Sequence, residues 1–327
     1  MKYSRLVSTG SYLPGKPISN DELAQRLAKL GIETSDEWIL SRTGIKQRYL
    51  VNEQSPLSTG DLAVRASRLA LEKASVSPEE VDLIIVATTT PDRIFPSTAC
   101  YVQNALGCKR ASAFDLQAVC SGFVYALSVA DSMIRSGSAN YVLVIGSEVL
   151  SRILDWKDRT TCVLFGDGAG VALLKSSDTP GILSSVLGSD GQFGTGVLAS
   201  DARIEGGQIV GDPFIRMDGK VVFRMAVEKL YDSALQVLSK AGYTPNDVDL
   251  YIPHQANIRI MTMVAHKLGI DAEKMMISLD SHGNTSAASV PISLDKAMNT
   301  NKLRKGALVL LQGVGGGFTW GSVLLRI

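Results

Sequence analysis

Leu71-Glu-Lys-Ala-Ser-Val-Ser-Pro-Glu-Glu-Val-Asp-Leu-Ile-Ile85 and Leu238-Ser-Lys-Ala-Gly-Tyr-Thr-Pro-Asn-Asp-Val-Asp-Leu-Tyr-Ile252 align without a gap and agree at eight of fifteen positions. They lie 167 residues apart, about half of the 327-residue chain. Each copy reads as the end of a helix, a capped turn at its proline and a continuous apolar run. Such a run suits a strand covered on both faces. Eight matches in register predict an internal duplication. A duplicated α/β unit predicts a pseudo-twofold, with a site assembled where the halves meet.

The same alternation extends along the chain. Tyr141–Gly146 and Ala307–Leu311 read as further buried strands, and Met275–Leu279 is strand-like. Helical periodicity covers Asn20–Leu30, Ser58–Ala74, Cys100–Leu106, Gly122–Arg135, Val221–Ala241 and Ile258–Leu268. Several of these end at a glycine suited to the left-handed cap. The pattern predicts α/β layers. Within the second half, Gly188–Asp212 is rich in Gly, Ser and Asp and reads as a surface excursion.

Composition narrows the function classes. A net charge of +1 provides no global field for nucleic acid or an anionic membrane. The amino terminus lacks a secretory apolar stretch, and the apolar runs are too short to span a bilayer. A soluble, cytoplasmic protein is expected. The four cysteines (Cys100, Cys108, Cys120, Cys162) form no CxxC and no metal-like spacing, so neither disulfides nor a metal site is expected.

Cys120 stands between strand-like Ala113–Gln117 and a helix of small and apolar residues. At a helix amino terminus, free N–H groups and the macrodipole favour negative charge, so the thiol pKa is expected to fall. The alternative is a small buried hydrophobe. Cys100 and Cys108 sit in or just after a helix, and Cys162 reads as lying within a strand. His254 leaves the carboxyl end of Asp249–Pro253, where ligands bind in α/β sheets, or is a core histidine satisfied by a carbonyl. Asn284 lies in Ser281-His-Gly-Asn-Thr-Ser286, a polar turn whose residues suit a loop regardless of function. The glycines of Phe165–Gly170 and Gly313–Gly321 match no phosphate-loop pattern. The second group permits close backbone approach, and its N–H groups could form an oxyanion hole.

Taken together, Val119-Cys-Ser-Gly-Phe123, His254-Gln-Ala-Asn257, His282-Gly-Asn-Thr-Ser-Ala-Ala-Ser289 and Gly315-Gly-Gly-Phe-Thr-Trp-Gly321 resemble the motifs of the β-ketoacyl-acyl-carrier-protein synthase III family. The resemblance runs nearly end to end, starting at Ser35-Asp-Glu-Trp-Ile39 and Arg42-Thr-Gly44. It implies a thiolase-like fold: two duplicated βαβαβαββ halves in a five-layered αβαβα arrangement. Residues 1–175 would carry the nucleophile and 176–327 the His and Asn, usually in a homodimer.

The resemblance also implies the reaction, a decarboxylative Claisen condensation of an acyl-CoA, acetyl-CoA foremost, with malonyl-acyl-carrier protein. Cys120, His254 and Asn284 would be catalytic, with Cys120 and Gly316 as the oxyanion hole. Trp38, Arg42, Arg159, Gly219 and Asn257 would bind CoA, and Phe95 and Phe223 would shape the acyl pocket, Phe95 reaching into the partner subunit. The carrier protein would meet Arg224, Gln255, Ala256, Asn257, Ile258, Arg259 and Lys267. No cofactor beyond the CoA thioester is implied. Val119 stands where many members have Ala, and Ile153–Lys157 is variable territory, which bears on the starter accepted. Two alternatives are a sister enzyme of specialised metabolism and a non-catalytic carrier-binding paralogue; the intact Cys120, His254 and Asn284 set argues against the second.

Overall fold

The computed structural model describes residues 2–52, 54, 56–194, 196–300 and 302–327. The continuous apolar runs become central strands, each buried along its whole length: Leu83–Ala87, Tyr141–Glu148, Leu250–Pro253 and Leu308–Gly315. In chain order the main strands are β1 (Tyr3–Tyr12), β2 (Leu83–Ala87), β3 (Ser112–Leu116), β4 (Tyr141–Glu148), β5 (Gly168–Ser177), β6 (Ile182–Ser189), β7 (Leu250–Pro253), β8 (Leu308–Gly315) and β9 (Thr319–Arg326). The helices are α1 (Asn20–Ala28), α2 (Asp36–Thr43), α3 (Thr59–Ala74), α4 (Thr98–Leu106), α5 (Gly122–Arg135), α6 (Arg159–Cys162), α7 (Gly219–Lys240), α8 (Ile258–Leu268), α9 (Leu279–His282) and α10 (Ser289–Asn299).

The first sheet runs β1-β5-β4-β2-β3, with β4, β2 and β3 parallel and β5 antiparallel to both its neighbours. The second runs β6-β9-β8-β7 and repeats the first four strands in order and direction. The strand-like Met275–Leu279 is the counterpart of β3 but shrinks to one parallel bridge, Tyr251 to Met275, before turning into α9. Polar Ser278, Asp280 and Ser281 interrupt the alternation a strand needs. The repeat read in the sequence is the α3–β2 and α7–β7 joint. Both copies turn through a capping box, Ser77 with Glu80 and Thr244 with Asp247.

Helices α5 and α10 lie between the two sheets, α3 and α4 cover the first outside, and α7 and α8 cover the second. This is the five-layered αβαβα arrangement. The middle layer is close-packed because small residues face it. A Cβ on Gly146 of β4 would fall 2.2 Å from the Ala287 carbonyl oxygen, and one on Gly170 of β5 would fall 2.5 Å from the Ile292 nitrogen. Each fully buried Val, Leu or Ile of these layers contributes roughly 1.5–3 kcal/mol of transfer free energy. Across the interface, the buried Asp295 of α10 accepts hydrogen bonds from Thr9 and Ser11 of β1 and pairs with Lys73 of α3 at 2.8 Å. The carboxyl ends of β3 and β7 and the amino ends of α5 and α10 thus meet at one place.

Candidate active site

Cys120 follows β3 in a short 3-10 turn, Val119–Ser121, that runs directly into α5. Val119 adopts φ +48°, a conformation that a β-branched residue takes only where its surroundings impose it. Against this turn lies Gly315 at the end of β8, where a Cβ would come within 2.5 Å of the Cys120 nitrogen. Gly316 faces the Leu198 carbonyl instead. Gly313 lies against the same turn, where a Cβ would fall 2.7 Å from Ser121 Cα, so Gly313 and Gly315, which share one face of β8, are the glycines that let the strand approach the nucleophile turn.

Cys120, His254 and Asn284 line one cavity of about 130 Å³, together with Gly219, Phe223, Ala256 and Asn257. Leu198 and Met217, paired across the excursion in the second half, supply part of its wall. The three polar side chains are nearly inaccessible, at 4%, 3% and 6% relative exposure.

Their neighbours set which atoms face the chemistry. The Ser286 N–H donates to Asn284 Oδ1 at 2.9 Å, so the amide NH₂ remains available as a donor. His254 Nδ1 is 2.6 Å from Ser289 Oγ, which already accepts the Gln255 N–H at 3.2 Å. With the hydroxyl donating to Nδ1, the imidazole proton sits on Nε2, the tautomer that presents a donor to the cavity. Burial, with a smaller push from His282, takes His254 down to about 3, so the ring is neutral at any working pH. A neutral imidazole donor and a non-titrating amide donor suit an oxyanion that develops in the cavity.

The thiol departs from the sequence expectation. Burial pushes Cys120 up to about 12; Ser286 eases it down and Glu148 pushes it further up. Loss of solvation thus favours the thiol over the thiolate in the resting site. Cys100 is the exposed cysteine and Cys108 and Cys162 are buried, so Cys100 is the one that an alkylating reagent reaches first. Cys162 ends the helix α6 rather than lying in a strand, because Asp158 caps that turn, accepting the Thr160 N–H at 2.9 Å.

Beyond the cavity, Arg159 and Arg42 stack on the Trp38 ring at 4.4 and 5.5 Å. Asn257 ties this cluster to the cavity wall: its side chain caps α8 and also donates to the Arg42 carbonyl at 3.0 Å. Arg259 and Lys267 are exposed on α8 and Arg224 on α7. Lys267 rests over Tyr231, seven residues beyond Arg224 on the same helix, which brings the basic residues of the two helices to one face. Gln255 does not belong to that face. It is fully buried, donates to the Pro253 and Met276 carbonyls and accepts the Ser278 and Leu279 N–H groups. An amide with its donors and acceptor engaged inside the protein cannot meet a carrier protein; it pins the end of β7 to α9. Phe95 is 83% exposed and lies away from this chain's own cavity.

Buried histidines give a stability prediction. His282 is also held neutral, mainly by burial, at about 4, against about 6.5 in an unfolded chain. Below pH 6.5 the unfolded state binds protons that the folded His254 and His282 refuse. Stability is therefore lost as pH falls, with a limiting slope of about 2.7 kcal/mol per pH unit for two protons. Urea midpoints measured from pH 7 to 4.5 should show this steep fall, and His282→Gln should flatten it. A variant with the same slope as wild type would contradict the buried neutral state.

The family model described as 3-oxoacyl-[acyl-carrier-protein (ACP)] synthase III matches residues 114–191, and the model of its C-terminal region matches 238–327. The crystal structure of 3-oxoacyl-[acyl-carrier-protein] synthase III from Aquifex aeolicus VF5 is 46% identical, with a TM-score of 0.91 over 99% of this chain and 100% of that one. FabH, the 3-oxoacyl-(acyl carrier protein) synthase III of Pseudomonas aeruginosa PAO1, is 41% identical, with a TM-score of 0.91 over 99% and 98%. The priming β-ketosynthase of the R1128 polyketide pathway is 36% identical, with a TM-score of 0.92 over 99% and 96%.

Proposed function

We propose, from the premise that this chain belongs to the 3-oxoacyl-[acyl-carrier-protein] synthase III family of condensing enzymes, that it joins an acyl-CoA starter to malonyl-acyl-carrier protein by decarboxylative condensation. The observation that carries this reading is the convergence of Cys120, His254 and Asn284 on one buried cavity. Cys120 takes the acyl group, with its own N–H and that of Gly316 receiving the thioester oxygen. His254 Nε2–H and the Asn284 amide hold the malonyl thioester oxygen. Decarboxylation moves charge onto that oxygen, and two fixed donors are worth most where charge develops. No cofactor beyond the substrate thioester enters this scheme.

The division of labour follows the halves, 1–175 supplying the nucleophile and 176–327 the two donors. CoA enters past Trp38, Arg42 and Arg159, along a wall that includes Gly219 and Asn257, while Phe223 borders the acyl group. A homodimer is supported by the free edge of the first sheet. The residues of β3 are exposed or partly so, Phe114 among them, and Ile94, Phe95 and Tyr101 expose apolar surface nearby. An unpaired edge with that much apolar surface calls for a cover, and Phe95 is the side chain free to reach a partner's cavity. Among the described residues no helix is long and apolar enough to cross a membrane. We place the enzyme in the cytoplasm, where acyl-CoA and carrier protein are found.

A panel of acyl-CoAs of increasing chain length tests the reading. Condensation of acetyl-CoA with malonyl-carrier protein supports it, and a chain that ignores both favours a sister enzyme of specialised metabolism. Carrier recognition has its own test. Ala256, Asn257 and Ile258 lead into α8, and Arg259, Lys267 and Arg224 present positive charge there to an acidic partner. Rim charges act mainly through steering. Arg259→Glu should raise the apparent KM for malonyl-carrier protein roughly tenfold at low salt and leave acylation by acetyl-CoA nearly intact. The difference should shrink at ~0.15 M salt, where screening sets in beyond about 8 Å. Equal losses toward both substrates would remove Arg259 from the docking face.

A further inference from the structure

The oxyanion donors of the proposed reaction are two backbone N–H groups from different parts of the fold, Cys120 beside the amino end of α5 and Gly316 just after β8. Their spacing decides whether one thioester oxygen can receive both. The run of three glycines, Gly315–Gly317, cannot fix that spacing by itself, because it has no side chain to pack and the widest conformational freedom. The far end of the run is tied down: the Phe318 N–H donates to the Asp190 carbonyl at 2.9 Å, and the Phe318 carbonyl accepts the Asp190 N–H at 2.8 Å. Its middle is held by a side chain.

That side chain is Thr319. As the first residue of β9 it stands between two ladder neighbours, Gly315 of β8 and Ser189 of β6, so its backbone is fixed on both sides. Its hydroxyl forks between two carbonyl oxygens, those of Ala118 and Gly316, each at 3.0 Å. Ser121, fully buried in the nucleophile turn, joins the fork: its Oγ donates to the Ala118 carbonyl at 2.7 Å and lies 2.8 Å from Thr319 Oγ1. Each of the two carbonyls belongs to the peptide next to one that carries an oxyanion N–H. One atom, Thr319 Oγ1, therefore touches both sides of the hole. The Thr319 methyl group has a separate place, closing the space beside Gly317, where a Cβ would fall 2.9 Å from Cγ2.

We infer that Thr319, supported by Ser121, is the positioning residue of the oxyanion hole, setting the distance between the Cys120 and Gly316 N–H groups. It serves the two steps in which charge develops on the acyl carbonyl oxygen: transfer of the acyl group to Cys120 and formation of the carbon–carbon bond. It has no part in decarboxylation, where charge develops on the malonyl thioester oxygen in front of His254 and Asn284. Donors held in place before the reaction stabilise developing charge without reorganising, and small misplacements slow the step. A hydroxyl on a strand, between two ladder partners, holds such a position more closely than a loop residue does.

The inference rests on the proposed acyl transfer to Cys120, and the experiment separates the two. Thr319→Val keeps the shape and removes the hydroxyl, and valine suits a strand; Thr319→Ser keeps the hydroxyl and removes the methyl. Rapid-quench acylation by acetyl-CoA should slow about tenfold in Thr319→Val, less than the roughly hundredfold loss on deleting a donor outright. Thr319→Ser should stay within a few-fold of wild type. On enzyme already acetylated, Thr319→Val should release CO₂ from malonyl-carrier protein at close to the wild-type rate but form less β-ketoacyl product per CO₂. A further readout needs no turnover. The infrared carbonyl band of isotope-labelled acetyl-Cys120, lowered by hydrogen bonds in the hole, should move up toward that of a free thioester in Thr319→Val and stay in place in Thr319→Ser. Wild-type acylation with an unmoved band in Thr319→Val overturns the inference. So does an equal fall of acylation and CO₂ release in both variants, which marks a structural role. Failure of wild-type Cys120 to be acylated would instead defeat the proposed function itself.

Discussion

Asn284→Ala should lose decarboxylative condensation by about a hundredfold or more, the usual consequence of deleting one oxyanion donor, while Cys120 still takes up acetyl groups at close to the wild-type rate. The asymmetry follows from the placement of the amide. Ser286 N–H fixes its oxygen and leaves the NH₂ group free to donate into the cavity, where in the proposed reaction it meets the malonyl thioester and plays no part in acyl transfer to Cys120. Separate assays of acyl-enzyme formation and CO₂ release check the split. A variant that condenses at near wild-type rate would show that Asn284 serves only its turn. One that fails in both steps would show that the residue builds the cavity.

A second large effect should come from a residue that touches no substrate. Gly146→Ala would set a methyl group 2.2 Å from the Ala287 oxygen and 2.8 Å from its carbonyl carbon. Backbone, not a flexible side chain, opposes it, so the turn that carries Ser286 and leads into α10 must move. Overpacking of this kind costs about 3 kcal/mol, which a urea titration reads directly. Condensation should fall as well, because Asn284 and Ser289 flank the displaced turn. Gly191→Ala, where nothing lies within 4 Å, is the control and should be neutral. Wild-type stability in Gly146→Ala would mean that the two layers are not as closely seated as described.

Much of this architecture is legible in the residues. Fully buried strands announce themselves as unbroken apolar runs, and the duplicated joint at Pro78 and Pro245 survives because both copies need the same capped turn between helix and strand. Cys120, His254 and Asn284 stand out by chain position only as candidates, each with a structural alternative; the resemblance of their motifs implies their roles, and the fold brings all three to one cavity. What stays hidden depends on burial and partners. Whether the Cys120 thiol gains more from a helix terminus than it loses to desolvation is decided by depth, which spacing does not reveal. Gln255 looks like a surface neighbour of Asn257 until its hydrogen bonds place it beneath α9. Gly313 and Gly315, not Gly316, meet the nucleophile turn because alternate residues of β8 face it. Ser289 stands within the motif around Asn284, but only the fold shows that it meets His254.

The most direct measurement is the site of acylation. The protein is mixed briefly with acetyl-CoA, quenched in acid and digested, and the cysteine peptides are sequenced by mass spectrometry. We expect an acetyl group on Cys120, formed within a catalytic turnover, discharged by malonyl-carrier protein and absent from Cys120→Ala. Acetyl found instead on Cys100, Cys108 or Cys162, or on no cysteine while condensation proceeds, would contradict it.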